Sequence, residues 1–248
     1  MAHRALVLVA LLLSGACSAA TSTPPAAMPA SPPAASAQAG QDPDSVKWVR
    51  QSAEYEAALY QVYALATQRA VAEAGTHERG SWAVVLDADE TVISNATYQS
   101  ERARAGLGYS AESWNAWVKR REATPLPGAR AFLDRVRALG GKIAIVTNRL
   151  GSECDDTAAV FKAHALVYDA MLCRPDGTPS DKNPRFKAVA DGQSPASSAP
   201  LDIVIFLGDN IQDFPALGQS LRGQPASAFA AFGSRFFVVP NPMYGSWQ

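Results

Sequence analysis

Four short segments carry side chains that could do chemistry together: Asp87-Ala88-Asp89-Glu90-Thr91, Thr147-Asn148-Arg149, Asp181-Lys182 and Gly208-Asp209-Asn210-Ile211-Gln212-Asp213. Asp87 and Asp89, two residues apart, point the same way if the chain stays extended there. One could attack an electrophile while the other handles a proton. Asp209 and Asp213 add more carboxylates, and such a cluster repels itself unless a hard divalent cation such as Mg²⁺ joins it. The Thr147 hydroxyl, the Lys182 ammonium and that cation would cradle a dianionic phosphate. Each segment alone has a bland reading: loop solvation for Asp87 and Asp89, a cap for Thr147 or Asp209, a surface charge for Lys182. An EF-hand calcium loop is excluded, because Val92 stands where that loop needs glycine.

Three of the segments follow apolar runs of strand length: Trp82–Leu86, Lys142–Val146 and Ile203–Leu207. Continuous apolar runs suit strands buried on both faces. Lys182 precedes a helix expected to start near Pro184. Shorter strands are expected at Ala170–Cys173 and Phe236–Val239, and helices from Pro127-Gly128 to Leu139 and from Cys154 to His164. Strands alternating with helices predict an α/β domain with a mainly parallel sheet, whose ligands bind at the carboxyl ends of the strands. Val46, Val49, Ala53, Leu59, Val62 and Ala66 recur at helical intervals, so one long helix is expected from Asp44 or Ser45 to about Glu73. With the insert Ala96–Thr124 it would form a small helical lobe over the strand ends (elements 44–74 and 96–124).

The chain has 248 residues, 48% hydrophobic and 18% charged, with a formal net charge of −1. That suffices for one core and gives no overall drive toward nucleic acid. Three histidines and three cysteines are too few for a zinc site once the N-terminal ones are set aside. Arg4, the apolar run Ala5–Leu13 and the small residues Ser14-Gly15-Ala16 read as a signal peptide over 1–16. Cys17 after Gly15-Ala16 resembles a bacterial lipobox, which would lipidate it. Residues 17–41 then form an Ala/Pro/Ser tether without a charge, and 42–248 the folded domain. In an oxidising compartment Cys154 and Cys173 are an even pair. A bridge would close a loop of about 20 residues, worth on the order of 3 kcal/mol in the chain-entropy model; two free thiols are the alternative.

In this order, Asp-x-Asp-x-Thr, Thr, Lys and Gly-Asp-x-x-x-Asp resemble the haloacid dehalogenase (HAD) superfamily of aspartate-nucleophile phosphatases. The segments Leu86–Asn95, Ser52-Ala53-Glu54-Tyr55, Gly208–Phe214, Phe232–Phe236 and Pro240–Gly245 are similar to class C bacterial acid phosphatases, outer-membrane lipoproteins with four signature aspartates. The resemblance covers about residues 45–248 and implies a HAD-like sheet flanked by helices. It makes Asp87 the nucleophile and Asp89 the general acid and base, with Thr147, Asn148 and Lys182 on the phosphoryl oxygens. Mg²⁺ would be held by Asp87, the backbone carbonyl of Asp89, Asp209 and, nearer or farther, Asp213. Trp114 and Tyr244 match positions where aromatic rings stack on a nucleotide; the alternative is that both are packing residues. Arg149 either lines that pocket or pairs with a nearby acid. The implied activity is Mg²⁺-dependent hydrolysis of phosphate monoesters such as nucleoside 5′-monophosphates. The rival readings are a catalytically silent binding lipoprotein and a phosphotransferase. The expected partners are the monoester, an outer membrane reached through the lipid, and a second copy in a homodimer; a nucleic acid polymer is not among them.

Overall fold

The computed structural model describes residues 40–248; the expected signal peptide, Cys17 and nearly all of the tether lie outside the described residues. Helices α1 (Asp44–Gln51) and α2 (Ala53–Ala74) come first, then strand β1 (Trp82–Leu86). The short strand β2 (Ile93–Ser94) leads into α3 (Ala96–Arg104) and α4 (Ala111–Arg120), and β3 (Thr124–Pro125) returns antiparallel to β2. There follow α5 (Ala129–Leu139), β4 (Lys142–Leu150), α6 (Cys154–Ala163), β5 (Ala170–Arg174), α7 (Asn183–Ala190), β6 (Asp202–Gly208) and β7 (Phe236–Val238). The five long strands form one parallel sheet in the order β5-β4-β1-β6-β7.

Alternation along the central strands explains the two layers. Val84, Leu86, Ile143, Ile145, Ile205 and Leu207 face the core shared with α2, α5 and α6, while Ala83, Val85, Ala144, Val146 and Phe206 face the one shared with α7. Because both faces are covered, β1 is buried along its whole length, as its unbroken apolar run requires. Tyr63 of α2 packs on Phe132 of α5 with ring centroids 5.7 Å apart. Gly128, at φ 86°, caps α5 where a Cβ would run into the Tyr63 ring, so both its backbone and its neighbour require glycine.

Two elements differ from the sequence expectation. The long N-terminal helix is broken at Ser52, which is extended (φ −88°, ψ 136°). Its hydroxyl donates to the Trp48 carbonyl at 2.7 Å and accepts from the Tyr55 N–H at 3.1 Å, so one serine closes α1 and caps α2. Apolar periodicity runs through that point and hides the break. Strand β4 continues past Val146 because, after a shift in register, Leu150 pairs with Arg174 of β5. Thr147, Asn148 and Arg149 therefore sit within the strand at its irregular stretch. Cys154 and Cys173 form a disulfide with Cα atoms 6.0 Å apart, joining the start of α6 to β5.

Candidate active site

Asp87 continues the β1–β6 ladder by one bond, its N–H donating to Leu207 O at 3.0 Å. The chain then folds tightly: Val92 and Ile93 both donate to Ala88 O at 2.9 Å, and Glu90 takes a left-handed backbone at φ 52°. On the neighbouring strand end, Asp213 N–H bonds Asn210 O, and Asn210 N–H returns to Asp213 Oδ2, both at 2.9 Å. This turn folds the Asp213 side chain back over Gly208, where any Cβ would overlap it, so the glycine of the Gly-Asp-x-x-x-Asp pattern makes room for the second aspartate.

The result is a cluster in which Asp87, Asp209 and Asp213 offer carboxylate oxygens within 4.8 Å of one another. Lys182, entering from the start of α7 and only 3% exposed, donates to Asp87 and, at 2.6 Å, to Asp213. Burial works against the ammonium, but Asp213 and Asp87 outweigh it and hold its pKa above the ordinary lysine value. One cation against three carboxylates leaves a deficit. Burial, with repulsion from the neighbouring aspartates, pushes the Asp87 and Asp209 carboxyls upward, Lys182 opposing this at Asp87. Three hard oxygen donors short of positive charge fit a divalent cation such as Mg²⁺.

Asp89 belongs to a different network. Arg149, with its side chain 1% exposed, forks onto it: Nη2 reaches Oδ1 at 2.7 Å, and Nε reaches Oδ1 and Oδ2 at 3.0 and 3.1 Å. Asn95 Nδ2 donates to the same Oδ1 at 2.8 Å. The Asn95 amide is itself fixed, since its Oδ1 accepts from Trp117 Nε1 at 2.8 Å and Arg149 Nη2 at 3.1 Å. Glu90, fully buried, accepts from Asn95 N–H at 2.6 Å and from the Tyr244 hydroxyl. Burial, and then the charge of Asp89, pushes its carboxyl up to about 8. Burial opposes the charge on Arg149, yet Asp89 keeps its pKa above the ordinary arginine value.

A cavity of about 540 Å³ opens over both networks and is lined by Asp87, Asp89, Lys182, Asp209 and Asp213 together with Asn148, Arg149, Trp114 and Tyr244. Of the residues singled out in the sequence, Thr147 alone of the acid and phosphate-holding set is absent from the lining. It is fully buried, and its hydroxyl accepts from Arg149 N–H at 3.1 Å. Arg185 holds this stretch, donating to Thr147 O and, at 2.6 Å, to Asn148 Oδ1. Arg149 lines the cavity and pairs with Asp89. Trp114 has the Arg149 guanidinium 5.4 Å from its ring centroid and Tyr98 edge-on at 5.3 Å.

Glu90, Asn95, Trp117, Arg185 and Asn241 were not singled out by sequence reasoning. The first two lie inside the Leu86–Asn95 segment, and Asn241 stands between Pro240 and Pro242, so context alone marked them. Nothing local signalled Arg185 or Trp117.

The family model described as HAD superfamily, subfamily IIIB (Acid phosphatase), matches residues 15–247. Among solved structures, the chain is similar to the class C acid phosphatase from Bacillus anthracis at 29% identity and a TM-score of 0.72, over 82% of this chain and 84% of that one. It is similar to the same organism's enzyme with tungstate bound at 28% identity and a TM-score of 0.70, with the same coverage.

Proposed function

Because the chain belongs to the acid phosphatase subfamily IIIB of the HAD superfamily, and is therefore a phosphomonoesterase, we propose that it hydrolyses nucleoside 5′-monophosphates and similar monoesters through a phospho-aspartyl intermediate, with Mg²⁺. The observation that carries this reading is a single cavity lined by Asp87, Asp89, Lys182 and the rings of Trp114 and Tyr244. The Bacillus anthracis enzyme has been solved with tungstate, a tetrahedral oxyanion, bound, and a similar protein that takes such an anion supports a phosphate ester as substrate.

Asp87 attacks phosphorus as the ester P–O bond breaks, and the leaving oxygen takes a proton from Asp89. Asp89 then removes a proton from water, which attacks phosphorus and breaks the P–O bond to Asp87, releasing phosphate. Among the described residues, Asp89 Oδ1 is engaged by Arg149 Nε and Nη2 and by Asn95, whereas Oδ2 has only the 3.1 Å contact from Arg149 Nε. Oδ2 is thus the oxygen left to carry the proton. Lys182 and Asn148 line the cavity where phosphoryl oxygens would lie, and Arg185 keeps Asn148 in place. The carboxylates of Asp87, Asp209 and Asp213, with the Asp89 carbonyl, would hold Mg²⁺. When bound, the cation supplies charge neutralisation to the phosphoryl oxygens. The rings of Trp114 and Tyr244 would stack on the base, which any base permits. The N-terminal sequence supports export and lipid anchoring at Cys17, in a bacterial outer membrane.

The test follows inorganic phosphate released from a nucleoside 5′-monophosphate with Mg²⁺ and with chelator, for wild type and Asp87→Asn. Metal-dependent release lost in the variant is expected. Release indifferent to both changes would sink the mechanism, and a phosphorylated alcohol appearing in place of phosphate would mark a phosphotransferase.

A further inference from the structure

Among the described residues, Asp209 is the carboxylate of the acidic cluster without a cationic partner: Lys182 bonds Asp87 and Asp213 but not Asp209. What Asp209 has is neutral. Asn241 Nδ2 donates to its Oδ2 at 2.8 Å, and Thr91 Oγ1 approaches Oδ1 at 3.5 Å, at the edge of hydrogen bonding. The Asn241 amide has a defined orientation, because its Oδ1 accepts the Met243 N–H at 2.9 Å and so turns the NH₂ group toward Asp209. Its backbone is equally constrained. β7 pairs with β6 up to Gly208–Val238, Val239 N–H adds a bond to Gly208 O at 2.9 Å, and Pro240 and Pro242 fix φ on either side. Farther on, Ser246 Oγ donates to Asn210 Oδ1 at 2.7 Å. The segment after β7 is therefore fastened to Gly208-Asp209-Asn210 at three points.

Resting on the divalent-cation reading above, we infer that Asn241 is a positioning residue for the metal site: it holds Asp209 by Oδ2 and so presents Oδ1 to the cation. Groups that orient metal ligands in this way typically change affinity by about 10–100-fold when altered.

Asn241→Asp isolates the role. An aspartate keeps the acceptor for the Met243 N–H, and with it the turn, but replaces the donor to Asp209 with a repelling oxygen. Mn²⁺ binding to the full protein is measured by isothermal titration calorimetry, and KM for a phosphate monoester is measured at saturating Mg²⁺. The expected result is a dissociation constant raised 10–100-fold with KM within a few-fold of wild type. Asn241→Ala, which drops the donor without adding charge, should shift affinity in the same direction by less and carries the test if the aspartate variant does not fold. Wild-type affinity in a folded variant overturns the inference alone, as does a raised KM with unchanged metal affinity. No Mn²⁺ binding by the wild type overturns the metal reading and this inference with it.

Discussion

Asp87 and Asp89 are two residues apart in the chain and live in opposite electrostatic neighbourhoods. Asp87 shares a cluster of three carboxylates with one ammonium, whereas Asp89 is matched by its own guanidinium and held by a chain of amides and an indole N–H. The first neighbourhood is short of positive charge and suits a cation and an incoming phosphate. The second is balanced, so its geometry persists without a ligand. Chemically alike side chains acquire distinct tasks because their surroundings differ, and the tight loop with Glu90 at its turn carries the chain from one surrounding to the other.

The contrast can be broken most severely at Asp87. On the proposed mechanism, Asp87→Asn should lower phosphate release by about 10⁴-fold or more, since an amide is a far poorer nucleophile than a carboxylate; trapping of a labelled phospho-enzyme should vanish with it. Next comes Asp89→Asn. Its loss should reach roughly 10³-fold for a nucleoside monophosphate but be far smaller for p-nitrophenyl phosphate, whose leaving group needs no proton. Equal losses on both substrates would collapse the distinction between the two aspartates. A smaller effect is expected from Arg149→Lys, which swaps a fork for a point charge: kcat should fall about 10-fold, with affinity for Mg²⁺ unaltered. A calorimetric titration checks that the damage stays within the Asp89 network.

The mildest prediction uses a neutralised carboxylate far from the centre. Asp42 is bonded by Arg50 and Ser100, linking α1 to α3, and by Arg104. Burial raises its pKa, but the Ser100, Arg104 and Arg50 bonds prevail and bring it down to about 2 from 3.8. A depressed carboxyl stabilises the fold above its unfolded pKa, and that contribution is lost as pH falls toward 2. With solvent screening at this peripheral site, Asp42→Asn should cost about 1 kcal/mol near neutrality. Denaturant melts of the two proteins should draw together below about pH 4 and converge near pH 2.

The strands and the two carboxylate-bearing strand ends were legible because burial on both faces leaves unbroken apolar runs, and polar residues directly after them are conspicuous. Val84-Val85-Leu86 followed by Asp87 is such a case, and Leu207 followed by Gly208-Asp209 is another. Partnerships were harder to read. Arg149 stands 60 positions from Asp89, and Tyr244 stands 154 from Glu90; no local pattern encodes such pairings, which depend on strand order and loop path. Ser52 was missed for the opposite reason: its capping chemistry is local, but the apolar repeat continues through it.

Glu90 has a consequence for variation among related sequences. Its left-handed backbone favours glycine by about 1 kcal/mol, while its carboxyl serves Asn95 and the Tyr244 hydroxyl. Tyr244 is the only one of the two partners that bonds Glu90 from a distant part of the chain. A lineage that moves to glycine at the position of Glu90 strands that hydroxyl, and phenylalanine should follow at the position of Tyr244. The two positions should therefore drift as a pair, although most of the chain lies between them.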